Sequence, residues 1–128
     1  MMTNTAVRKT SDLIGPALDW AVWRAGNKDK DQEIFFIGHT DYGMYHYSTD
    51  WAYGGPLIEP EEIGIRRNAP CSVGREWEAS PSITAKGAGG MCAYGPTPLV
   101  AAMRLYVASK LGEYVDIPES LLWEGRNE

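Results

Sequence analysis

The sequence predicts an α+β fold, a single layer-sandwich domain in which two main helices pack on a small, mostly antiparallel sheet. Three observations predict this class: two helical segments with recognisable ends, several short segments typical of strands, and no repeat or composition shift that marks a second domain. The 128 residues, 44% of them hydrophobic, are enough for one core. We expect a flexible arm over residues 1–9, the domain over residues 10–123 and a tail over residues 124–128.

The clearest predicted element is a helix that begins after Thr97 and ends near Gly112. Thr97 is a typical N-cap residue, and Pro98 suits the first helical position because its fixed φ fits and its missing N–H costs nothing there. Gly112 suits the left-handed residue that follows a helix. The residues predicted to share one face of this helix are Leu99, Met103, Tyr106, Val107 and Lys110.

A second helix is predicted over residues 16–25, after a short turn at residues 12–14. Pro16 suits its first position, and a glycine follows its last residue. The residues that recur at helical spacing are Leu18, Ala21, Val22 and Ala25. Because Trp20 and Trp23 fall beside this stripe, we expect at least one of them to be partly exposed.

Other short segments are apolar or alternate between apolar and polar residues, and these patterns predict strands or extended chain. They cover residues 33–37, 63–67, 72–80, 82–86 and 114–118. A turn at residues 80–81 is predicted to pair the third segment with the fourth. A short helix begins near Asp50, the last of three consecutive capping residues. We expect it not to run past Gly54-Gly55-Pro56, although residues 57–59 suit a second turn.

Composition and charge exclude several classes of function. The formal net charge of −5 makes binding to a nucleic-acid polymer unfavourable, although a few local donors can still hold a small anion. No apolar run is long enough to span a bilayer, so we expect a cytoplasmic protein without membrane contact. Cys71 and Cys92 form neither a disulfide framework nor a zinc motif, and we expect no metal and no cofactor.

Four segments, in this order, resemble one family. They are residues 9–22 (KTSDLIGPALDWAV), residues 47–51 with 55–59 (YSTDW and GPLIE), residues 95–104 (GPTPLVAAMR) and residues 110–118 (KLGEYVDIP). Together they resemble the NinX-type phage protein family and, more weakly, phage alpha-beta-alpha sandwich domains that share the Ser-Thr-Asp turn. The resemblance implies a bacteriophage or prophage origin, and hence the host bacterial cytoplasm. It implies no activity.

Catalytic and metal sites are weakly supported by the sequence. A hydrolytic site would need a nucleophile, here Ser48 or Cys92, and a base, here His39 or His46. Neither nucleophile lies in a recognisable motif, and both histidines lie in a segment rich in Tyr and Gly. His39, Asp41 and His46 are close in sequence but lack the spacing of a metal site. We therefore predict no catalytic residue and no metal ligand.

Binding of a small anion is better supported, because two predicted helix N-termini present free N–H groups and a positive dipole end. Nearby aromatic rings (Trp51, Tyr53, Tyr94) suit stacking on a base or ribose, and arginines (Arg66, Arg67, Arg75) suit a phosphate. The simpler alternative is that the threonine only caps its helix and the aromatic residues belong to the core and its rim. The predicted ligand-binding residues are Ser48, Thr49, Asp50, Trp51, Arg66, Tyr94, Thr97 and Arg104.

The favoured hypothesis is a non-catalytic phage protein that binds and sequesters a small nucleotide-like signalling molecule, by analogy with phage proteins that capture nucleotide immune signals of the host. Such a protein is expected to be a homo-oligomer, and exposed Trp20, Trp23 or Trp123 would suit the interface. The alternative is a protein–protein interaction module that inhibits a host factor through an acidic, aromatic face. An enzyme that degrades a nucleotide is a further alternative.

Overall fold

The computed structural model describes residues 5–26, 46–68, 73–81 and 92–118. Its helices and antiparallel strands confirm the predicted α+β class. In order they are β1 (Thr5–Lys9), a 3-10 turn (Thr10–Asp12), α1 (Gly15–Gly26), α2 (Trp51–Ile58), β2 (Ile63–Arg67), β3 (Trp77–Pro81), β4 (Ala93–Gly95), α3 (Pro98–Leu111) and β5 (Tyr114–Pro118).

The described strands form two antiparallel sheets. In the first, β1 pairs with β5, with Lys9 opposite Tyr114. In the second, β3 lies between β2 and β4, with Ile65 opposite Ala79 and Ala79 opposite Ala93. The first sheet corrects the prediction of a flexible arm for residues 5–9, because pairing with a strand more than 100 residues later orders them. No local pattern in the sequence predicts that pairing.

Helix α3 is the centre of the core. It contacts α1, α2 and all three strands of the second sheet, so its residues from Leu99 to Val107 are buried on every side. The helix has the predicted cap, since Thr97 Oγ1 accepts a hydrogen bond from the Val100 N–H at 3.1 Å. The prediction of one buried stripe is too narrow, because helices and the second sheet both pack against α3. Lys110, which the stripe includes, is exposed and pairs with Glu61 at 3.1 Å.

Helix α1 packs against α3 and β5. The expectation of a partly exposed tryptophan is wrong, because Trp20 and Trp23 are only 2% and 4% exposed. Both rings belong to the hydrophobic core, beside the residues of the predicted stripe. Neither ring is therefore available in this fold for the proposed interface between copies. Trp123 lies outside the described residues.

Helix α2 begins as predicted, with the Asp50 carboxylate accepting a hydrogen bond from the Ala52 N–H at 2.9 Å. Its predicted end is wrong, because the helix continues through Gly54, Gly55 and Pro56 to Ile58. In a helix this short, Pro56 removes only one backbone donor. Gly54 is required by packing, since a Cβ atom there would lie 2.2 Å from the Tyr47 carbonyl oxygen.

The strand predictions are correct in part. Residues 63–67 and 114–118 form strands as expected. Strand β3 begins only at Trp77, and Pro81 is still paired, opposite Ile63, rather than forming a turn. Strand β4 is missing from the prediction because its three residues are too few for a pattern. The predicted strands at residues 33–37 and 82–86 lie outside the described residues.

Candidate functional site

A cleft of roughly 790 Å³ opens between the 3-10 turn, strand β4 and the C-terminal half of α3. Residues 9–12 form one wall, with Glu113 at its end. Tyr94 and Arg75 lie on the opposite wall, and Arg104 of α3 lines the cleft between them. The two walls come from segments far apart in the sequence.

Arg104 connects the two walls. Its Nε donates a hydrogen bond to the Leu13 carbonyl oxygen at 2.8 Å, and its Nη1 donates to the Tyr94 carbonyl oxygen at 2.7 Å. The residue is only 9% exposed. Among the described residues no carboxylate forms a salt bridge with it. Burial lowers the pKa of Arg104, and the negative charge of Asp12 acts in the opposite direction.

The opposite wall carries a flat pair of side chains. The Arg75 guanidinium lies over the Tyr94 ring, 4.1 Å from its centroid. The Tyr94 hydroxyl donates a weak hydrogen bond to Glu78 Oε2 at 3.4 Å. Because Arg75 is exposed and Tyr94 is half-buried, the pair presents a cationic, planar surface to the cleft.

Glu78, which accepts the Tyr94 hydrogen bond, also interacts with Arg66 and Cys92. The Arg66 Nε donates a hydrogen bond to its carboxylate. That hydrogen bond is the main cause that lowers the pKa of Glu78, and the nearby Cys92 thiol acts in the same direction. Burial and the neighbouring carboxylate raise the pKa of Cys92, so its sulfur stays protonated and poorly nucleophilic at neutral pH.

The charge of the cleft differs in sign from that of the whole chain. Three cationic side chains line it (Lys9, Arg75, Arg104), together with two acidic ones (Asp12, Glu113). The lining therefore carries a small positive excess, whereas the chain has a formal net charge of −5. Such a local excess favours an anion over a cation.

The family model described as "Bacteriophage P22, NinX" matches residues 9–110, about four fifths of the chain. The chain belongs to the NinX family. It is therefore a phage protein, as the resemblance implied. No curated protein matches the sequence. The match includes the cleft residues from Lys9 to Ala108 and ends before Gly112 and Glu113. None of the helices described in this NinX-family chain is long and apolar enough to cross a membrane.

The fold brings two of the eight predicted ligand-binding residues of this NinX-family chain into the cleft, Tyr94 and Arg104. Arg66 is on the second sheet but outside the cleft lining, and its guanidinium is engaged by Glu78. Thr97 uses its hydroxyl as the helix cap, at the end of α3 remote from Arg104. The simpler alternative, that the threonine is only a cap, describes this contact.

The other predicted residues surround the start of α2, outside the cleft lining. Ser48 is buried and donates two hydrogen bonds to Asp19 Oδ1, from its N–H at 2.8 Å and from its hydroxyl at 2.6 Å. Asp50 caps α2, next to the exposed Thr49. Trp51 is 52% exposed at the surface. The Ser-Thr-Asp turn is thus occupied by contacts within the fold.

The sequence interpretation missed Lys9, Asp12 and Glu113 as site residues. Lys9 and Glu113 come together because β1 pairs with β5 and the Thr10 N–H donates to the Glu113 carbonyl oxygen at 2.8 Å. No local signal could have found them. Arg75 was considered only as a general phosphate partner, and its position over Tyr94 depends on the turn before β3.

Proposed function

We propose that this phage protein binds a small nucleotide-like anion in the cleft and sequesters it without changing it chemically. The observation that supports this most directly is Arg104, a buried guanidinium that lines an open cleft and has no salt bridge among the described residues. A buried charge is costly unless it is compensated. An anion in the cleft would add to the negative charge of Asp12, which acts on Arg104 without forming a salt bridge with it.

The shape and chemistry of the cleft favour a ligand of nucleotide class. Its volume of roughly 790 Å³ lies within the range of about 300–1,000 Å³ that small-molecule sites occupy. The stacked Arg75 and Tyr94 side chains offer a flat surface for a base or a ribose. Lys9 adds a second exposed cation near the entrance.

Sequestration rather than catalysis is supported by the groups around the cleft. Cys92 is the thiol at its wall, and the raised pKa of that thiol disfavours nucleophilic attack. His46 packs edge-on against Tyr53, with ring centroids 5.9 Å apart, and does not line the cleft. Release of an intact nucleotide on denaturation therefore distinguishes this proposal from a nucleotide-degrading enzyme.

Titration calorimetry tests the proposal. We expect saturable binding of at least one of 3′,5′-cyclic AMP, cyclic di-AMP and ADP-ribose, and a loss of about tenfold or more in affinity in Arg75→Ala. Arg67→Ala is the matched control, because Arg67 also lies over an aromatic ring, that of Trp77 at 5.5 Å, but is outside the cleft. Absence of binding to the whole panel, or equal losses in both variants, would contradict the proposal.

A second candidate function, a contact with a host protein, is favoured by the aromatic residues of α2. Trp51 is 52% exposed and Tyr53 is 40% exposed, and neither lines the cleft. Exposed aromatic residues are enriched in protein interfaces, including those between copies of one chain. A host protein captured stoichiometrically by the wild type, released by Trp51→Ala and insensitive to added nucleotide would favour this second function.

A further inference from the structure

One backbone hydrogen bond next to β3 shows toward which neighbouring strand each β3 residue directs its N–H and C=O groups. The Asn68 N–H donates to the Glu76 carbonyl oxygen at 2.8 Å, and the two residues continue the register in which Arg66 lies opposite Glu78. In an antiparallel pair, residues that exchange hydrogen bonds alternate with residues that do not. The backbone groups of Glu76, Glu78 and Ser80 therefore face β2.

The backbone groups of Trp77 and Ala79 consequently face β4. Trp77 lies opposite Gly95, and Ala79 lies opposite Ala93, so these two pairs carry the hydrogen bonds between β3 and β4. Tyr94, between them, directs both its N–H and its C=O away from the sheet. The Arg104 Nη1 donor on the Tyr94 carbonyl oxygen is an independent observation of that direction.

The Tyr94 N–H therefore lies at the edge of β4 that faces away from β3, on the same side as the Tyr94 carbonyl that accepts from Arg104. Tyr94 and Arg104 both line the cleft. Within the described part of the chain, no contact supplies an acceptor for this N–H. A buried cation and a backbone donor that face the same open space are the two components of an oxyanion site.

The position of this edge is set by Gly95. A Cβ atom at Gly95 would lie 2.8 Å from the Ala101 backbone nitrogen and 2.9 Å from Val100 Cγ1. Only glycine lets β4 approach α3 this closely, and the close approach brings the Tyr94 backbone within reach of Arg104. The donor pair is thus positioned by packing rather than by a mobile side chain.

We propose that the Tyr94 N–H and the Arg104 guanidinium together bind one phosphoryl group of the ligand, as a two-donor seat at the edge of β4. This inference rests on the proposed function for the identity of the ligand. It adds that recognition of the phosphoryl group uses a backbone donor, while the base lies over the Arg75–Tyr94 pair. A ligand without a phosphoryl group would lack the contact with these two donors.

Amide hydrogen exchange tests the geometry without any ligand. We expect the Tyr94 amide to exchange about tenfold or more faster than the amides of Ala93 and Gly95, which are hydrogen-bonded to β3. Equal protection of the three amides would show that the Tyr94 N–H already has a hydrogen-bond acceptor. That result would contradict the proposed two-donor seat.

Replacing the Tyr94 peptide N–H by an ester oxygen, with the α-hydroxy acid analogue of tyrosine, tests the contact itself. We expect the affinity for inorganic phosphate to fall by about tenfold, and the Tyr94 amide resonance of the wild type to shift as phosphate is added. The matched control is the same replacement at Tyr114. Tyr114 also directs its N–H away from its partner strand, because the Thr10–Glu113 hydrogen bond fixes the alternation there, but it does not line the cleft.

These binding experiments test the two-donor seat and the proposed function separately. Phosphate binding weakened only at position 94, with no binding of the nucleotide panel, supports the seat and contradicts the function. Nucleotide binding that is unchanged by the ester at position 94 supports the function and overturns the seat. Equal losses at positions 94 and 114 also overturn the seat, because they reflect the weakened carbonyl that each ester introduces.

Discussion

Arg104 and Tyr94 are joined by a 2.7 Å hydrogen bond from the guanidinium Nη1 to the backbone carbonyl, and this contact ties the central helix to the edge of the second sheet. The same guanidinium holds the Leu13 carbonyl oxygen at 2.8 Å, at the entrance to α1. One buried side chain therefore sets the distance between the two walls of the cleft.

Arg104→Met should destabilise the fold. The substitution leaves two carbonyl oxygens without their donors, each worth about 1–3 kcal/mol, while removal of a buried charge offsets part of the loss. We expect the free energy of unfolding in urea to fall by about 2–4 kcal/mol. The control Arg67→Met, at an exposed position, should change it by about 0.5 kcal/mol or less. A loss no larger than the control's would contradict the bridging role of Arg104.

Thr97→Ala separates capping from binding. The lost hydrogen bond to the Val100 N–H should cost about 1 kcal/mol of stability, as for other helix caps. Nucleotide affinity should not change, because Thr97 does not line the cleft. Chemical denaturation and calorimetry on the same preparation measure both effects. A loss of nucleotide affinity larger than the loss of folding stability explains would indicate that the N-terminus of α3 belongs to the binding site.

The pH dependence of stability should contain two contributions of opposite sign. Burial raises the pKa of Asp19 above its ordinary value of 3.8, against the hydrogen bonds from Ser48. Between the ordinary and the raised pKa the folded state holds more protons than the unfolded chain, so Asp19 destabilises the fold as pH rises through that window. Asp19→Asn should remove this contribution, and its stability relative to wild type should increase from about pH 4 upward.

Glu78 gives the opposite contribution, because the hydrogen bond from Arg66 lowers its pKa below the ordinary value of 4.5. Its stabilisation is complete above pH 4.5 and is lost as pH falls through the lowered pKa. Glu78→Gln should therefore lose stability relative to wild type at neutral pH and regain it in acid. Urea unfolding across the acid range measures both variants, and slopes of the same sign would contradict the assignment.

Gly54 and Gly55 form a matched pair in α2. A Cβ atom at Gly54 would lie 2.2 Å from the Tyr47 carbonyl oxygen, whereas at Gly55 the nearest contact is Trp51 Cε3 at 3.6 Å. Gly54→Ala should therefore cost about 1–3 kcal/mol or more through overpacking. Gly55→Ala should be neutral or stabilise by up to about 1 kcal/mol, because alanine is the better helix former. Similar thermal unfolding midpoints for the two variants would contradict the packing described around Tyr47.

Local features of this fold could be predicted, and non-local ones could not. Thr97 and Asp50 were recognised as caps because a cap depends only on the next three residues. The strand at residues 5–9 was predicted as a flexible arm because its partner strand is more than 100 residues away. The continuation of α2 past Pro56 was missed because tertiary packing of Gly54 outweighs a local helix-breaking signal.

The candidate site illustrates the same limit. Tyr94 and Arg104 were predicted as binding residues, but their contact depends on the close approach of β4 to α3 at Gly95. The Ser-Thr-Asp turn has the sequence of an anion site, and its serine instead satisfies the buried Asp19 of another helix. A local pattern cannot distinguish donors left free from donors used by a distant residue.

Native mass spectrometry of the protein isolated from phage-infected bacteria, followed by identification of small molecules released on denaturation, tests the central claim most directly. The proposal predicts an intact, phosphoryl-containing nucleotide that accompanies the wild type and Arg67→Ala but is absent from Arg75→Ala. A wild-type protein that carries no small molecule, or that releases a cleaved nucleotide, would contradict sequestration in the cleft.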